Sequence, residues 1–146
     1  MPTGVSVGKA IVIYDPGLSG TAKGVADKVA SDLQTRGYTV TLAGVKSSAA
    51  GITTGYNIIV VGGPVYAGAL TSSTKDVLAN LVLDQGGKIG VYGSGQGATS
   101  PEDIAQIKQS IPTRSDATLK NTIVVKIGSS EDLNARAQDF VNQLIA

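Results

Sequence analysis

The 146-residue sequence predicts a doubly wound α/β domain built on a five-stranded parallel sheet. Three observations predict it. Short, almost wholly apolar runs rich in β-branched residues recur along the chain, amphipathic stretches at helical spacing separate them, and glycine or proline marks the junctions. Strands covered by helices on both faces read as continuous apolar runs, and four of the five candidate strands do so.

The first strand is Lys9–Tyr14 (KAIVIY), which ends against Asp15-Pro16-Gly17. From Ser19 the period changes: Ala22, Val25, Ala26, Val29, Ala30 and Leu33 share one helical face, Lys23, Asp27, Lys28 and Asp32 the other, and Gly37 supplies a stop. Tyr38–Ala43 alternates as an edge strand does. Residues 44–56 read as a loop with room for one helical turn.

Asn57–Gly62 is the next buried strand and leads into Gly63-Pro64-Val65-Tyr66-Ala67-Gly68. A helix fits Thr74–Leu83, with Val77, Leu78 and Leu81 on one face. Lys88–Tyr92 is a further strand, running into Gly93-Ser94-Gly95-Gln96-Gly97. Ser100-Pro101-Glu102-Asp103 is a helix start, with Ser at the N-cap, Pro at the first helical position and acids where the helix dipole favours them. Ile104, Ile107 and Ile111 continue that helix to Pro112. Thr122–Ile127 is the last strand, and Ser130–Ala146 the last helix, with Leu133, Ala137, Phe140, Val141 and Leu144 inward.

Composition narrows the function. The length fits a single domain over residues 1–146, with 1–8 a loose extension. The absence of Cys and His excludes thiol catalysis, Ser-His or Cys-His pairs and the usual zinc ligand sets, so no metal is expected. A formal charge of +1 with scattered charges gives no basic stripe for nucleic acid. The apolar runs fall far short of the ~20 residues a membrane span needs, and MPTGVSVGKA has no signal-peptide pattern. A cytoplasmic protein is the default expectation.

In doubly wound sheets, ligands bind beyond the carboxyl ends of the strands, where the strand order reverses. Three loops therefore carry the chemical reading: Asp15–Thr21, Gly63–Thr71 and Gly93–Ser100. The first opens a helix, whose free N–H groups suit a phosphate. Gly17 and Gly20 permit a tight backbone there, Ser19 and Thr21 add hydroxyls, and no Lys or Arg lies in the loop. The alternative is an ordinary turn capped by Ser19 or Thr21. In the second loop, Tyr66 among small residues suits stacking on a ligand ring, the alternative being a loop tyrosine with no ligand. The third, G-x-G-x-G, lacks the dinucleotide spacing G-x-G-x-x-G; its glycines would let backbone amides approach a flat heterocycle, the alternative being a flexible strand-to-helix loop.

Taken together, these segments resemble the flavodoxin family. The Ile11–Tyr14 strand, the Ser/Gly/Thr loop and the helix with Val25-Ala26 are similar to the family's opening strand and phosphate loop. Gly62–Gly68 resembles the loop whose aromatic residue packs on the flavin, and Val91–Gln96 the loop that holds the flavin pyrimidine edge. The resemblance spans roughly residues 8 to 146. It implies a strand order 2-1-3-4-5, non-covalent FMN, and electron transfer or a small flavin-dependent reduction with a redox partner protein. The implied cofactor-binding residues are Ser19, Gly20, Thr21, Pro64, Val65, Tyr66, Ala67, Gly93, Ser94, Gly95 and Gln96, with no catalytic side chain.

The sequence departs from the family pattern in three ways. Ala22 stands where the last Thr of the phosphate loop is expected, and Pro16-Gly17 where the first hydroxyl belongs. Gly97–Ser100 holds no covering tyrosine, and Tyr92 points into the fold instead. The charge of +1 departs from the acidic character of diffusing electron carriers. These departures support an alternative, a binding or regulatory module of the same fold that has lost FMN. A phosphoacceptor receiver domain is set aside, because Asp15 stands alone and residues 57–62 hold no Asp.

Overall fold

The computed structural model describes residues 7–16, 20–51, 53–66, 69–81, 88–95, 101–110, 122–128 and 132–145, with Ala49, Tyr66, Ala69, Pro101–Asp103, Ser110 and Gly128 described by backbone alone. In chain order the elements are β1 Gly8–Tyr14, α1 Thr21–Thr35, β2 Tyr38–Gly44, a 3-10 turn Ser48–Gly51, β3 Ile58–Tyr66, a two-residue strand β4 Ala69–Leu70, α2 Ser72–Asn80, β5 Lys88–Gly95, α3 Pro101–Ser110, β6 Ile123–Gly128 and α4 Leu133–Ile145. The sheet order is β2-β1-β3-β5-β6, and every one of these pairings is parallel. With the small β4 left out of the count this is the order 2-1-3-4-5. The alternating strand β2 lies at the edge, where one solvated face is tolerated.

Strand alternation divides the core in two. Ala10, Val12, Ile58, Val60, Tyr92, Val125 and Ile127 face α1 and α4. Ile11, Ile13, Ile59, Val61, Ile89 and Val91 face Leu78 of α2, Leu81 and Ile107 of α3. From α4, Ala137, Phe140, Val141 and Leu144 are fully buried, and each large one contributes about 1.5–3 kcal/mol on leaving water.

Helix boundaries follow local chemistry. α1 ends as expected, because Gly37 takes φ +96° and its N–H donates to the Gln34 carbonyl. α2 begins two residues earlier than the Thr74 of the sequence reading, since Thr71 caps it by accepting from the Thr74 N–H at 3.3 Å. It also stops earlier: Leu81 has extended backbone, φ −61° and ψ 142°, yet remains buried. Its place on the core face therefore comes from the chain leaving the helix, and residues 82–83 of the expected helix lie outside the described residues. The start of α4 is set by Asp132, whose carboxylate accepts from the Asn134 and Ala135 N–H groups at 3.1 and 3.2 Å. α3 starts at Pro101 as expected, while Ser100, Ile111, Pro112 and Ser130 lie outside the described residues.

Candidate functional site

The carboxyl ends of β1, β3 and β5 converge at one edge of the sheet, and the chain order reverses between β1 and β3. The start of α1 stands at this switch point. Its N-cap is Gly20 in the left-handed conformation (φ +77°), a residue with no side chain to cap the helix. The ordinary-turn alternative required a Ser19 or Thr21 cap. Thr21 is instead the first helical residue, and Ser19 lies outside the described residues. A helix start whose N-cap is glycine, with no acid in its first turn, is a place where an anion can complete the backbone hydrogen bonds. The nearest cation on the helix, Lys23, is engaged in an exposed i,i+4 ion pair with Asp27 at 3.0 Å. Lys23 donates to the Asp27 carboxylate, and this hydrogen bond is the first cause of its raised pKa.

Asp15 closes the other end of this segment. Its N–H donates to the Gly62 carbonyl at 2.8 Å, and its carboxylate accepts from the Thr71 hydroxyl at 2.6 Å. With the single Thr71 proton given to Asp15, the 2.8 Å contact between Thr71 Oγ1 and Thr74 Oγ1 places the Thr74 proton in that bond. The chain Thr74–Thr71–Asp15 fixes the end of β1 to the start of α2. Gly63 makes room for it, because a Cβ there would lie 2.7 Å from Thr74 Oγ1 and 3.0 Å from Asp15 Cβ. The sequence reading missed this network; the signal was the Thr71-x-x-Thr74 cap spacing ahead of a helix.

The second and third loops are corrected at their starts, since both begin later than expected. β3 continues through Gly63, Pro64 and Val65 to Tyr66, then turns back so that Val65 pairs with Leu70 and Tyr66 with Ala69. Tyr66 therefore sits at the end of a small hairpin that projects past the sheet. β5 likewise continues through Gly93, Ser94 and Gly95, paired with β6 throughout and with β3 as far as Ser94. Gly93 is a strand glycine for a packing reason: a Cβ would meet Val65 Cγ2 at 2.4 Å and Ile107 Cδ1 at 2.7 Å. Ala67 and Gln96 lie outside the described residues.

On the α1 face of β5, Tyr92 is fully buried and donates its hydroxyl to the Ala22 carbonyl at 2.8 Å. Burial is the first cause of its raised pKa, with Asp27, Tyr14 and Asp15 adding to it, so the phenol stays protonated. By strand alternation Ser94, one pleat nearer the carboxyl edge, faces the same way. It is 1% exposed, and its Oγ makes no hydrogen bond to any described residue. A buried hydroxyl without a partner costs free energy unless something completes it. At this edge stand the glycine-capped start of α1, the buried Ser94 hydroxyl and the antiparallel β3–β4 pair. This set fits a ligand that carries an anionic group at one end and hydrogen-bonding atoms along its length.

No protein-family model matches the sequence, and no curated protein matches it. Solved structures do. A flavodoxin of Streptococcus pneumoniae TIGR4 superposes with a TM-score of 0.70 at 20% identity, over 94% of this chain and 97% of that one. Oxidised flavodoxin 2 of Bacillus cereus gives 0.64 at 19% identity, over 94% and 97%. An NADH:FMN oxidoreductase in its apo form gives 0.63 at 11% identity, over 94% and 88%. The chain has a flavodoxin-like fold. Among the described residues, no helix is long and apolar enough to cross a membrane.

Proposed function

We propose that this chain binds FMN non-covalently at the carboxyl edge of its sheet and serves in electron transfer or a small flavin-dependent reduction. The observation that carries the reading is the glycine-capped start of α1 at Gly20, set at the switch point between β1 and β3. Likeness to two flavodoxins and to an NADH:FMN oxidoreductase supports it. The phosphate would be held by the Gly20 and Thr21 backbone with the hydroxyls of Ser19 and Thr21. Ser94 Oγ would donate to the ligand, and Tyr66 with its neighbours Pro64 and Ala67 would flank the ring on one side, with Gly95 and Gln96 on the other. The bound flavin supplies the redox chemistry, while the protein binds, orients and shields it.

The test is an absorbance spectrum of the purified chain between about 300 and 550 nm, followed by FMN titration with fluorescence readout. Flavin bands or saturable quenching support the reading. A colourless protein that leaves FMN fluorescence unchanged at tens of micromolar sinks it and favours the alternative, a module of this fold without flavin. If the tyrosine stacks on the ring, Tyr66→Ala weakens FMN binding by about 0.5–1.5 kcal/mol.

A further inference from the structure

The hydroxyl of Tyr92 reaches across from the interior strand β5 to the first turn of α1. The ring lies on β5 opposite Gly62 of β3, where a Cβ would come within 2.0 Å of it. Phe140 of α4 packs against the ring edge-on, with centroids 6.3 Å apart and planes at 74°. Glycine on one side and an aromatic edge on the other leave the phenol oxygen one buried acceptor, the Ala22 carbonyl at 2.8 Å. Ala22 is itself 1% exposed and stands two residues after the helix cap Gly20. Ser94 Oγ lies two residues along β5 on the same face, buried and without a hydrogen-bond partner among the described residues.

We propose that Tyr92 is a positioning residue: its hydrogen bond holds the first turn of α1 against β5 and so sets where the anion-binding end of the site stands relative to its floor. This rests on the FMN reading for its ligand, though not for its geometry. The core needs only the ring of Tyr92, which a phenylalanine would supply. The hydroxyl adds a directional tie at a helix start whose N-cap, Gly20, has no side chain.

The test compares the wild-type chain with Tyr92→Phe by two readouts. Backbone amide exchange should rise about threefold to tenfold at Gly24, Val25 and Ala26, whose N–H groups close the first turn, and stay unchanged from Val29 to Leu33. FMN affinity should fall by about the same factor, while affinity for riboflavin, which lacks the phosphate, stays unchanged. Unchanged exchange, uniform acceleration along α1, or equal loss for FMN and riboflavin would overturn the proposal. Should the wild-type chain bind neither flavin, the FMN reading fails, and the exchange pattern alone decides whether Tyr92 positions the helix.

Discussion

On the face covered by α1 and α4, the centre of the sheet carries the Tyr92–Phe140 aromatic pair and a buried hydroxyl bonded to a helix carbonyl. On the face covered by α2 and α3, the same strands bury aliphatic side chains, and the polar work is moved to the carboxyl edge, in the Asp15–Thr71–Thr74 chain. That second face also keeps an open groove of ≈ 420 Å³ beside α2, lined by Val45, Lys46, Ser47 and Asp76 among others. Adjacent glycines make both arrangements possible. Gly62 clears space for the Tyr92 ring on one face, and Gly63 clears space for Thr74 on the other. The lesson is that a Gly-Gly pair in a buried strand can serve two layers at once, one residue for each.

The largest expected effect breaks the aromatic face. Gly62→Ala puts a methyl into the Tyr92 ring and should cost about 3 kcal/mol or prevent folding, read as the midpoint of urea unfolding. In a Tyr92→Leu background the same change should cost clearly less, because the two sites share one space. Alkaline titration separates the faces further. The unfolded tyrosine titrates near its ordinary value of 10.0, and the folded one above it. Between those values the native state holds a proton that the unfolded state has lost. Stability should therefore fall as pH rises above about 10, by up to about 1.4 kcal/mol per pH unit from this group. Tyr92→Phe should flatten that component of the slope.

The edge network gives a smaller effect. Thr71→Val removes the α2 cap and the donor to Asp15, and should cost about 1–2 kcal/mol by chemical denaturation. A loss no greater than that of Ser72→Ala would mean that the network does not tie β1 to α2. Smallest of all is the exposed pair on α1. Asp27→Asn should leave the unfolding midpoint within measurement error, since Lys23 and Asp27 are about half exposed and solvent-screened.

Much of this could be read along the chain. Apolar runs fixed the strands, 3.6-residue spacing fixed α1 and α4, and Gly37 marked the end of α1 because a left-handed residue was required there. Tyr92 was legible as an inward residue because it lies inside an apolar strand. The ends of β3 and β5 were not. Gly-Gly-Pro and Gly-Ser-Gly read as loops because glycine and proline usually break strands. Here Val65 and Ile107 occupy the volume that a side chain at Gly93 would fill. Sequence spacing says nothing of a neighbour that arrives from another strand.

What the sequence determined by itself was therefore periodicity: which residues form strands and helices, which of their faces are apolar, and that a glycine-rich segment opens α1. Those are properties of residues a few positions apart. The tertiary structure alone decided which groups meet. Asp15 finds Thr71 across 56 residues and Tyr92 finds Ala22 across 70, while Ser94 is left with a buried hydroxyl among the described residues. The physical reason is that hydrogen bonds and excluded volume act over a few ångströms in space, and strand order, which no local pattern encodes, decides what lies within that reach.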